Sequence, residues 1–320
     1  MPITSVSNKS PPTGGSQARL RLAPSPTGRL HLGHALSALI NVRFAEQLGG
    51  RLLIRMEDID LARCRPEYAR AILEDLAWLG IRPPEPVLYQ SEHFAVYRRA
   101  AQRLSDMGLL YPCFASRQEI ALAAATDACD PDGAPLYPGL WRNRDARDVE
   151  ARLAAGAPFA LRLDMAKALS HLVETQGDAP LSAVAFDEDL QPSAVAVDAS
   201  RWGDVVIQRK GELPSYHLAV VVDDARQGIT HVVRGADLLP STDVHRLLQA
   251  LLGFPAPAYH HHRLLLGPDG RKLSKRAGDT GLAAWRAQGL APTDIAALVG
   301  RKPQALRRDV IYLLPRNRHH

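Results

Sequence analysis

Two periods of hydrophobic residues alternate along the N-terminal third of this chain. Short apolar runs typical of β-strands, residues 19–23 and 51–57, are each followed by a longer run in which apolar residues recur every three or four positions. The run that starts near residue 31 places its apolar side chains on one stripe, as a helix packed against a sheet does. Such alternation predicts a parallel sheet with helices on both faces.

Proline and glycine mark the boundaries of the following elements. Pro66 lies in the first turn of a predicted helix that ends at Gly80, and the next helix ends at Gly108. The periodicity is weak between residues 112 and 200, where Ala-, Asp- and Pro-rich stretches dominate. Regular alternation then returns and predicts strands at 204–209 and 230–235 and helices at 216–227, 241–253, 281–289 and 291–300.

This pattern predicts an α/β protein. Its main part is a Rossmann-like nucleotide-binding domain with a parallel sheet, which carries an inserted α+β lobe and a short C-terminal helical tail. The predicted divisions are a disordered tail at 1–17, the first Rossmann half at 18–111, the inserted lobe at 112–200, the second Rossmann half at 201–270, and a loop with the helical tail at 271–320.

The composition favours a cytoplasmic enzyme without choosing a reaction. The chain has 320 residues, 46% of them hydrophobic, which is enough for one sizeable core and a smaller lobe. Its net charge of +5 is compatible with a polyanionic partner. The three cysteines form no disulfide framework. The Ser/Pro/Gly-rich N-terminus lacks the apolar segment of a signal peptide, and we expect no membrane span.

The segment PSPTGRLHLGH, residues 24–34, is the first candidate for chemistry. It turns the chain from a buried strand into a helix, and the free N–H groups and dipole of a helix N-terminus favour phosphate. His31 and His34 are three residues apart and project from one face of the first turn, whereas Gly33 lets a flat base approach the backbone. The alternative interpretation is that these residues only cap the helix.

The segment KLSKR, residues 272–276, is the second candidate. Only six lysines occur in the chain, and Lys272 and Lys275 fall within this segment. Two ammonium groups on a glycine-flanked loop suit closure over a pyrophosphate leaving group, although a solvated basic turn has the same composition. Together the two segments predict an enzyme that binds ATP and transfers its adenylyl group to an acid. The predicted ATP-binding residues are Pro24, Ser25, Gly28, His31, Gly33, His34, Lys272, Ser274 and Lys275, with His31, His34 and Lys275 as the catalytic set.

With both segments considered, the chain resembles the class I aminoacyl-tRNA synthetases, and the glutamate-specific branch in particular. The resemblance is carried by residues 21–60, 216–239 and 264–276 and covers roughly residues 19–285. It implies activation of L-glutamate with ATP and Mg²⁺.

The length of the chain after the second segment refines this resemblance. Only 45 residues follow Lys275, too few for the helical anticodon-reading region of a full glutamyl-tRNA synthetase. The chain therefore resembles the truncated paralogues, the glutamyl-queuosine tRNA(Asp) synthetases. That group transfers glutamate to the queuosine base at the wobble position of tRNA(Asp). The expected partners are L-glutamate and queuosine-containing tRNA(Asp), and the expected state is a monomer.

Charge requirements indicate where glutamate would bind. An amino-acid substrate with two carboxylates needs at least one acid and one planar cation, and Arg21, Glu57 and Arg234 lie near the ends of predicted strands. A surface ion pair is the alternative for any one of them. The resemblance implies that Arg21, Leu22, Ala23, Pro24, Ser25, Glu57, Tyr216 and Arg234 bind glutamate. We expect Asp58 and Asp60 to pair with nearby arginines instead.

The zinc site of related synthetases is incomplete in this sequence. The resemblance places its four ligands at Cys113, Ala115, Tyr137 and Trp141, and alanine and tryptophan cannot replace thiolates. We therefore expect no zinc, and Cys113 to be a small buried residue. The histidines at 260–262 are expected to lead into a strand rather than to bind a metal.

Three other functions fit parts of the pattern. A truncated glutamyl-tRNA synthetase would still charge a tRNA 3′ end. A small-molecule nucleotidyltransferase would share the first segment, but it would lack the set Glu57, Tyr216 and Arg234. A non-catalytic tRNA-binding paralogue would keep the fold alone.

Overall fold

The computed structural model describes residues 17–124, 128–267, 273 and 280–300. The strands are β1 (Arg19–Leu22), β2 (Arg51–Met56), β3 (Leu88–Tyr89), β4 (Leu110–Cys113), β5 (Ala160–Leu163), β6 (Ser182–Phe186), β7 (Pro192–Ala196), β8 (Val206–Arg209), β9 (Leu213–Pro214), β10 (His231–Gly235) and β11 (Ala258–His262). The helices are α1 (Leu32–Gln47), α2 (Pro66–Trp78), α3 (Phe94–Asp106), α4 (Arg117–Ala123), α5 (Ala146–Ala154), α6 (Met165–Gln176), α7 (Tyr216–Arg226), α8 (Thr242–Leu252), α9 (Leu282–Ala287) and α10 (Pro292–Gly300).

The central sheet has seven strands in the order β3-β2-β1-β10-β11-β6-β7. All of its neighbouring strands are parallel except β6 and β7, so the predicted α/β class with a mostly parallel sheet is confirmed. Strand β1 lies between β2 and β10, and the order of the strands along the chain reverses there. In open α/β sheets a ligand binds at the carboxyl ends of the strands at such a point.

Alternation along the strands assigns side chains to opposite faces of this sheet. Leu20 packs with Phe44 of α1, whereas Leu53 and Val232 pack on the other face. The face with α1 is covered further by α2, α9 and α10, and the other by α3, α7 and α8. Because Arg21 and Arg55 follow the same alternation, both side chains point to the face that α7 covers.

A second, four-stranded antiparallel sheet has the order β4-β5-β8-β9. Its strands come from residues 110–214. Between them, β6 and β7 return to the central sheet although they lie within the range 112–200 that the sequence assigned to the inserted lobe. The predicted domain boundaries stay a prediction.

Two smaller points concern the remaining elements. The histidines at 260–262 form the end of β11 itself rather than a lead-in to it. Within the described residues, no helix has the length and apolarity that crossing a bilayer requires.

Candidate active site

Helix α1 begins at a cap formed by its own two histidines. Nδ1 of His31 accepts a hydrogen bond from the backbone N–H of Gly33 at 3.1 Å, and the backbone N–H of His31 donates to Nδ1 of His34 at 3.2 Å. The centroids of the two imidazoles are 3.9 Å apart. The histidines therefore satisfy backbone groups at the helix start, as the capping alternative predicted, and both also line a cavity.

Gly33 leaves room for the neighbouring ring of His31. A Cβ atom at this residue would lie 2.9 Å from Cε1 of His31, closer than carbon atoms approach. Glycine therefore lets the ring of His31 approach the backbone and form the cap. The approach of a nucleotide base to the backbone of Gly33 stays a prediction.

A cavity of about 520 Å³ lies beside this cap. Part of its wall is formed by residues at or just after the carboxyl ends of β1, β2 and β10, where the fold predicts a ligand. The predicted site residues that line it are Arg21, Leu22, Ala23, Pro24, Ser25, His31, Gly33, His34, Glu57, Tyr216 and Arg234. Gly28 lies in the preceding bend and is not part of the described wall. Lys272, Ser274 and Lys275 lie outside the described residues.

The chain on either side of residues 274–279 is held near the cap. Leu273 lines the cavity, and its backbone N–H donates to the carbonyl of Leu265 at 3.2 Å. Gly281 forms a β-bridge with His31, and the backbone N–H of Leu282 donates to the carbonyl of Leu30 at 2.8 Å. One described residue of the second segment, Leu273, therefore lines the cavity beside the cap, and Gly281 and Leu282 contact the residues at the start of α1.

A buried chain of alternating charges supports the floor of the cavity. Nε of Arg21 donates to Oδ1 of Asp224 at 3.1 Å, and Nη1 of Arg55 donates to the same oxygen at 2.8 Å. Nη2 of Arg55 then donates to Oε1 of Glu57 at 3.2 Å. One carboxylate on α7 thus links two arginines on neighbouring strands, and one of these arginines positions the acid that lines the cavity.

The pKa values of the two acids in this charge network, Asp224 and Glu57, are shifted in opposite directions. Burial alone would raise the pKa of Asp224, but the guanidiniums of Arg21 and Arg55 hold it below its ordinary value. For Glu57, burial outweighs the attraction of these arginines and raises the pKa. Of these two acids, Glu57 is the one whose charge is less compensated, so a cationic ligand would stabilise it.

Arg234 is surrounded by neutral acceptors. Its side chain donates to Nε2 of His261 at 3.1 Å, to Nδ1 of His245 at 3.0 Å and to the hydroxyl of Thr242 at 2.8 Å. Burial and the nearby Arg234 charge lower the pKa of His261 to about 3 and that of His245 well below its ordinary value. In the part of the chain that the structure describes, no carboxylate lies within ion-pair distance of Arg234.

Tyr216 completes this end of the cavity with a neutral hydroxyl. It is the first residue of α7, whose start is capped by the side chain of Ser215. Burial and the neighbouring Glu57 charge raise the pKa of Tyr216 to about 12. The phenol therefore stays protonated at physiological pH and can donate one hydrogen bond to a ligand.

A second cavity, of about 910 Å³, adjoins the first. The two share Ser25, Thr27, Glu57 and Tyr216 as a common wall. Basic side chains from the four-stranded sheet and its surroundings line the second cavity: Arg63, Arg117, Arg162, Arg209 and Lys210. Aspartates at 60, 130, 132 and 204 line it as well, so charged groups of both signs face this cavity.

The two aspartates that follow Glu57 have separate structural roles. Asp60 pairs with Arg63 at 2.6 Å, as predicted. Asp58 instead accepts hydrogen bonds from the backbone N–H and the hydroxyl of Ser91, at 2.8 and 2.6 Å, so the prediction of an arginine partner was wrong for this residue.

The four positions compared with zinc ligands come together in one small cluster. Cys113, Ala115 and Tyr137 are buried with one another, and Trp141 packs against them. The hydroxyl of Tyr137 lies 3.3 Å from Sγ of Cys113 and accepts the backbone N–H of Trp141 at 2.8 Å. Phe114 stacks edge-on against Trp141 at 4.8 Å. Aromatic packing and a tyrosine hydroxyl thus connect the positions that a metal would otherwise join.

We predict that the purified protein contains substoichiometric zinc, because two of the four tetrahedral ligands are alanine and tryptophan. Elemental analysis of protein prepared without chelator checks this. The double variant Ala115→Cys/Trp141→Cys serves as the positive control, since it restores two thiolates beside Cys113. One equivalent of zinc in the unchanged protein would contradict the prediction.

Sequence reasoning missed the residues behind the cavity wall. Arg55 and Asp224 form the charge chain, and Thr242, His245 and His261 hold Arg234. A signal was present in two places, because Arg55 interrupts an apolar strand and the pair Asp223 and Asp224 follows three consecutive valines on α7. No comparable signal marked His245, whose role depends on a contact between α8 and β10.

Comparisons with known proteins agree with this geometry. The family model of the catalytic domain of class I tRNA synthetases (E and Q) matches residues 17–302. The glutamyl-Q tRNA(Asp) synthetase of Rhodobacter capsulatus is 43% identical over 286 residues, which cover 88% of this chain and 99% of that protein. The glutamate–tRNA ligase of Aquifex aeolicus is 37% identical over 299 residues, covering 92% of this chain and 60% of the ligase.

Solved structures show the same likeness. A glutamate tRNA ligase from Elizabethkingia meningosepticum in complex with its amino acid aligns with a TM-score of 0.63 at 30% identity. The alignment covers 82% of this chain and 53% of that one, so the chain spans about half the length of that ligase.

Proposed function

The chain belongs to the class I tRNA synthetases (E and Q), and from this premise we propose that it activates L-glutamate with ATP and transfers it to the queuosine base at the wobble position of tRNA(Asp). One observation supports the proposal most: a single cavity holds the histidine cap of α1 and, beside it, two arginines and Glu57. Relatives that align over most of their length carry the name glutamyl-Q tRNA(Asp) synthetase. We expect no resident metal in the site, and Mg²⁺ to arrive on the phosphates of ATP.

In the proposed first step, a carboxylate oxygen of glutamate attacks the α-phosphate of ATP in line and pyrophosphate leaves. The side chains supply position and charge rather than covalent chemistry. We assign His31 and His34 to the phosphates on one side, and Lys275 to the charge that develops on the leaving group. Lys275 lies outside the described residues, but Leu273 of the same segment lines the cavity.

Recognition of glutamate follows from the charges at the other end of the cavity. We propose that Arg234 binds a substrate carboxylate, because no described carboxylate neutralises it. Glu57, whose pKa burial raises, would gain a compensating charge from the substrate ammonium. Arg21 shares its charge with Asp224 and would contribute less electrostatic attraction than Arg234 does.

The second step requires an acceptor hydroxyl next to the activated glutamate. We place the acceptor nucleoside in the second cavity, because Glu57 and Tyr216 belong to the wall that it shares with the first cavity. The arginines and the lysine of this cavity are suited to RNA phosphates.

Transfer of labelled glutamate tests the proposal. Three RNAs are compared: queuosine-containing tRNA(Asp) without its 3′-terminal adenosine, the unmodified tRNA(Asp) transcript, and tRNA(Glu). We expect label on the first RNA only, since it has the modified base and lacks the 3′ acceptor.

Label on tRNA(Glu) with an intact 3′ end would instead support a truncated enzyme that charges tRNA, and no label on any RNA would refute the transfer step. Lys275→Ala is the matched catalytic control. We expect it to lower glutamate-dependent ATP–pyrophosphate exchange by about tenfold to a thousandfold, the usual effect of losing a transition-state donor. Near-normal exchange would remove Lys275 from the catalytic set.

A further inference from the structure

The hydrogen bonds around Arg234 determine the protonation of every histidine they include. A guanidinium has only donors, so Nδ1 of His245 and Nε2 of His261 must both accept from Arg234. The proton of His245 is therefore on Nε2, which faces Nδ1 of His217 at 3.2 Å and donates to it. His217 in turn carries its proton on Nε2. The direction of donation is therefore fixed along this series of hydrogen bonds, from Arg234 at the cavity wall to His245 of α8 and then to His217 of α7.

All three imidazoles in this arrangement are neutral. Burial, together with the Arg234 charge, lowers the pKa of His217 to about 4, and the pKa values of His245 and His261 are lowered as well. A protonated ring at either contact would point an N–H group at the N–H groups of Arg234. The acceptors consequently hold the guanidinium without neutralising it.

Arg21 shows the other way in which this fold holds a buried arginine. Its Nε is paired with the carboxylate of Asp224, so its charge is compensated within the protein. Arg234 is as buried as Arg21, at 4% exposure for both, and it lines the same cavity. The difference between the two sites is the chemistry of the acceptor, which is carboxylate in one and imidazole or hydroxyl in the other.

We propose that His245 is a positioning residue that determines affinity for a carboxylate substrate: as a neutral acceptor it orients Arg234 toward the cavity and leaves the arginine charge for the ligand. This inference rests on the proposed function for the identity of the substrate. The residue does not touch the substrate itself. It acts through Arg234, and its effect belongs to the binding of glutamate rather than of ATP.

Two substitutions of His245 distinguish the effect of orienting Arg234 from the effect of leaving the arginine charge unpaired. His245→Gln keeps a neutral acceptor, whereas His245→Glu places a buried carboxylate beside Arg234. We expect His245→Glu to raise the KM for glutamate by about a hundredfold, because the arginine is then already paired. His245→Gln should raise it by no more than about threefold, and kcat at saturating glutamate should change little, as for lost uniform binding.

The readouts are the KM for glutamate, the KM for ATP and kcat, all from ATP–pyrophosphate exchange on the full chain. His260→Gln is the matched control, because His260 is also buried but contacts Phe186 and Phe44 on the opposite face of the sheet. The KM for ATP should stay unchanged in every variant. An unchanged glutamate KM in His245→Glu, or equal shifts for Glu and Gln, would overturn the inference.

Misfolding of His245→Glu and failure of the proposed function can each be distinguished from failure of this inference. If His245→Glu does not fold, the comparison of His245→Gln with His245→Leu decides, because leucine has a similar volume but accepts no hydrogen bond. The leucine variant should raise the glutamate KM by about tenfold, and equality of the two would overturn the inference. An unchanged protein without glutamate-dependent exchange would refute the proposed function instead.

Discussion

Replacing Arg234 with methionine lowers kcat/KM for glutamate in ATP–pyrophosphate exchange by about a thousandfold or more. This is the expected cost of removing the arginine from its buried pair with the substrate carboxylate. Methionine fills a similar volume, and the three groups that Arg234 contacts are neutral, so the protein is left with no unpaired buried charge. The effect should fall on the KM for glutamate and leave the KM for ATP unchanged.

Arg103→Met is the control for this experiment. Arg103 donates to the carbonyl of Leu252 and stacks on Phe254, and it lines neither of the two cavities described here. We expect its exchange kinetics to match those of the unchanged protein. An Arg234→Met variant with an ordinary glutamate KM would show that the substrate carboxylate binds elsewhere, and Arg21 would be the next candidate.

The largest expected effect on stability comes from Asp224→Asn. This carboxylate is the shared partner of Arg21 and Arg55, both of which are buried. The amide keeps a hydrogen-bond acceptor but removes the charge. Among the described ion pairs, Arg55 then keeps only its contact with Glu57, and Arg21 keeps none. We expect the free energy of unfolding to fall by about 3 to 5 kcal/mol, as when one partner of a buried ion pair is removed. Urea unfolding at neutral pH measures it.

The pH dependence of this loss has a defined sign. The pKa of Asp224 is lowered in the folded protein, so its contribution to stability is complete above the ordinary value of 3.8 and is lost as the pH falls through the folded pKa. The difference between the unchanged protein and Asp224→Asn should therefore narrow below pH 3.8.

Asp178→Asn provides the control, because this aspartate is exposed. Its unfolding curve should coincide with that of the unchanged protein. A loss below about 1 kcal/mol in Asp224→Asn would indicate that water or Glu57 compensates the arginines, contrary to the assigned role.

The sequence predicted the cavity wall well, for a physical reason. In a parallel sheet, residues at the carboxyl ends of the strands lie along one edge, so Arg21, Glu57 and Arg234 could be placed together from the strand pattern alone. The cap of α1 was also predictable, since its residues are close in sequence.

Contacts between distant parts of the chain were not predictable in this way. Asp224 is separated from Arg21 by 203 residues, and several other acids could have been its partner. His245 reaches Arg234 only because α8 packs beside β10. The return of β6 to the central sheet depends on pairing with β11, and the weak periodicity of its own residues gave no indication of that partner.

The histidines of the α1 cap affect how substitutions at this site are interpreted. An alanine at residue 31 or 34 removes an acceptor from the backbone as well as a ring from the cavity. An alanine scan that measures turnover alone would attribute the loss of the cap and the loss of the ring to the same catalytic defect. Asparagine, whose amide oxygen still accepts the backbone N–H, distinguishes an inactive enzyme from a frayed helix.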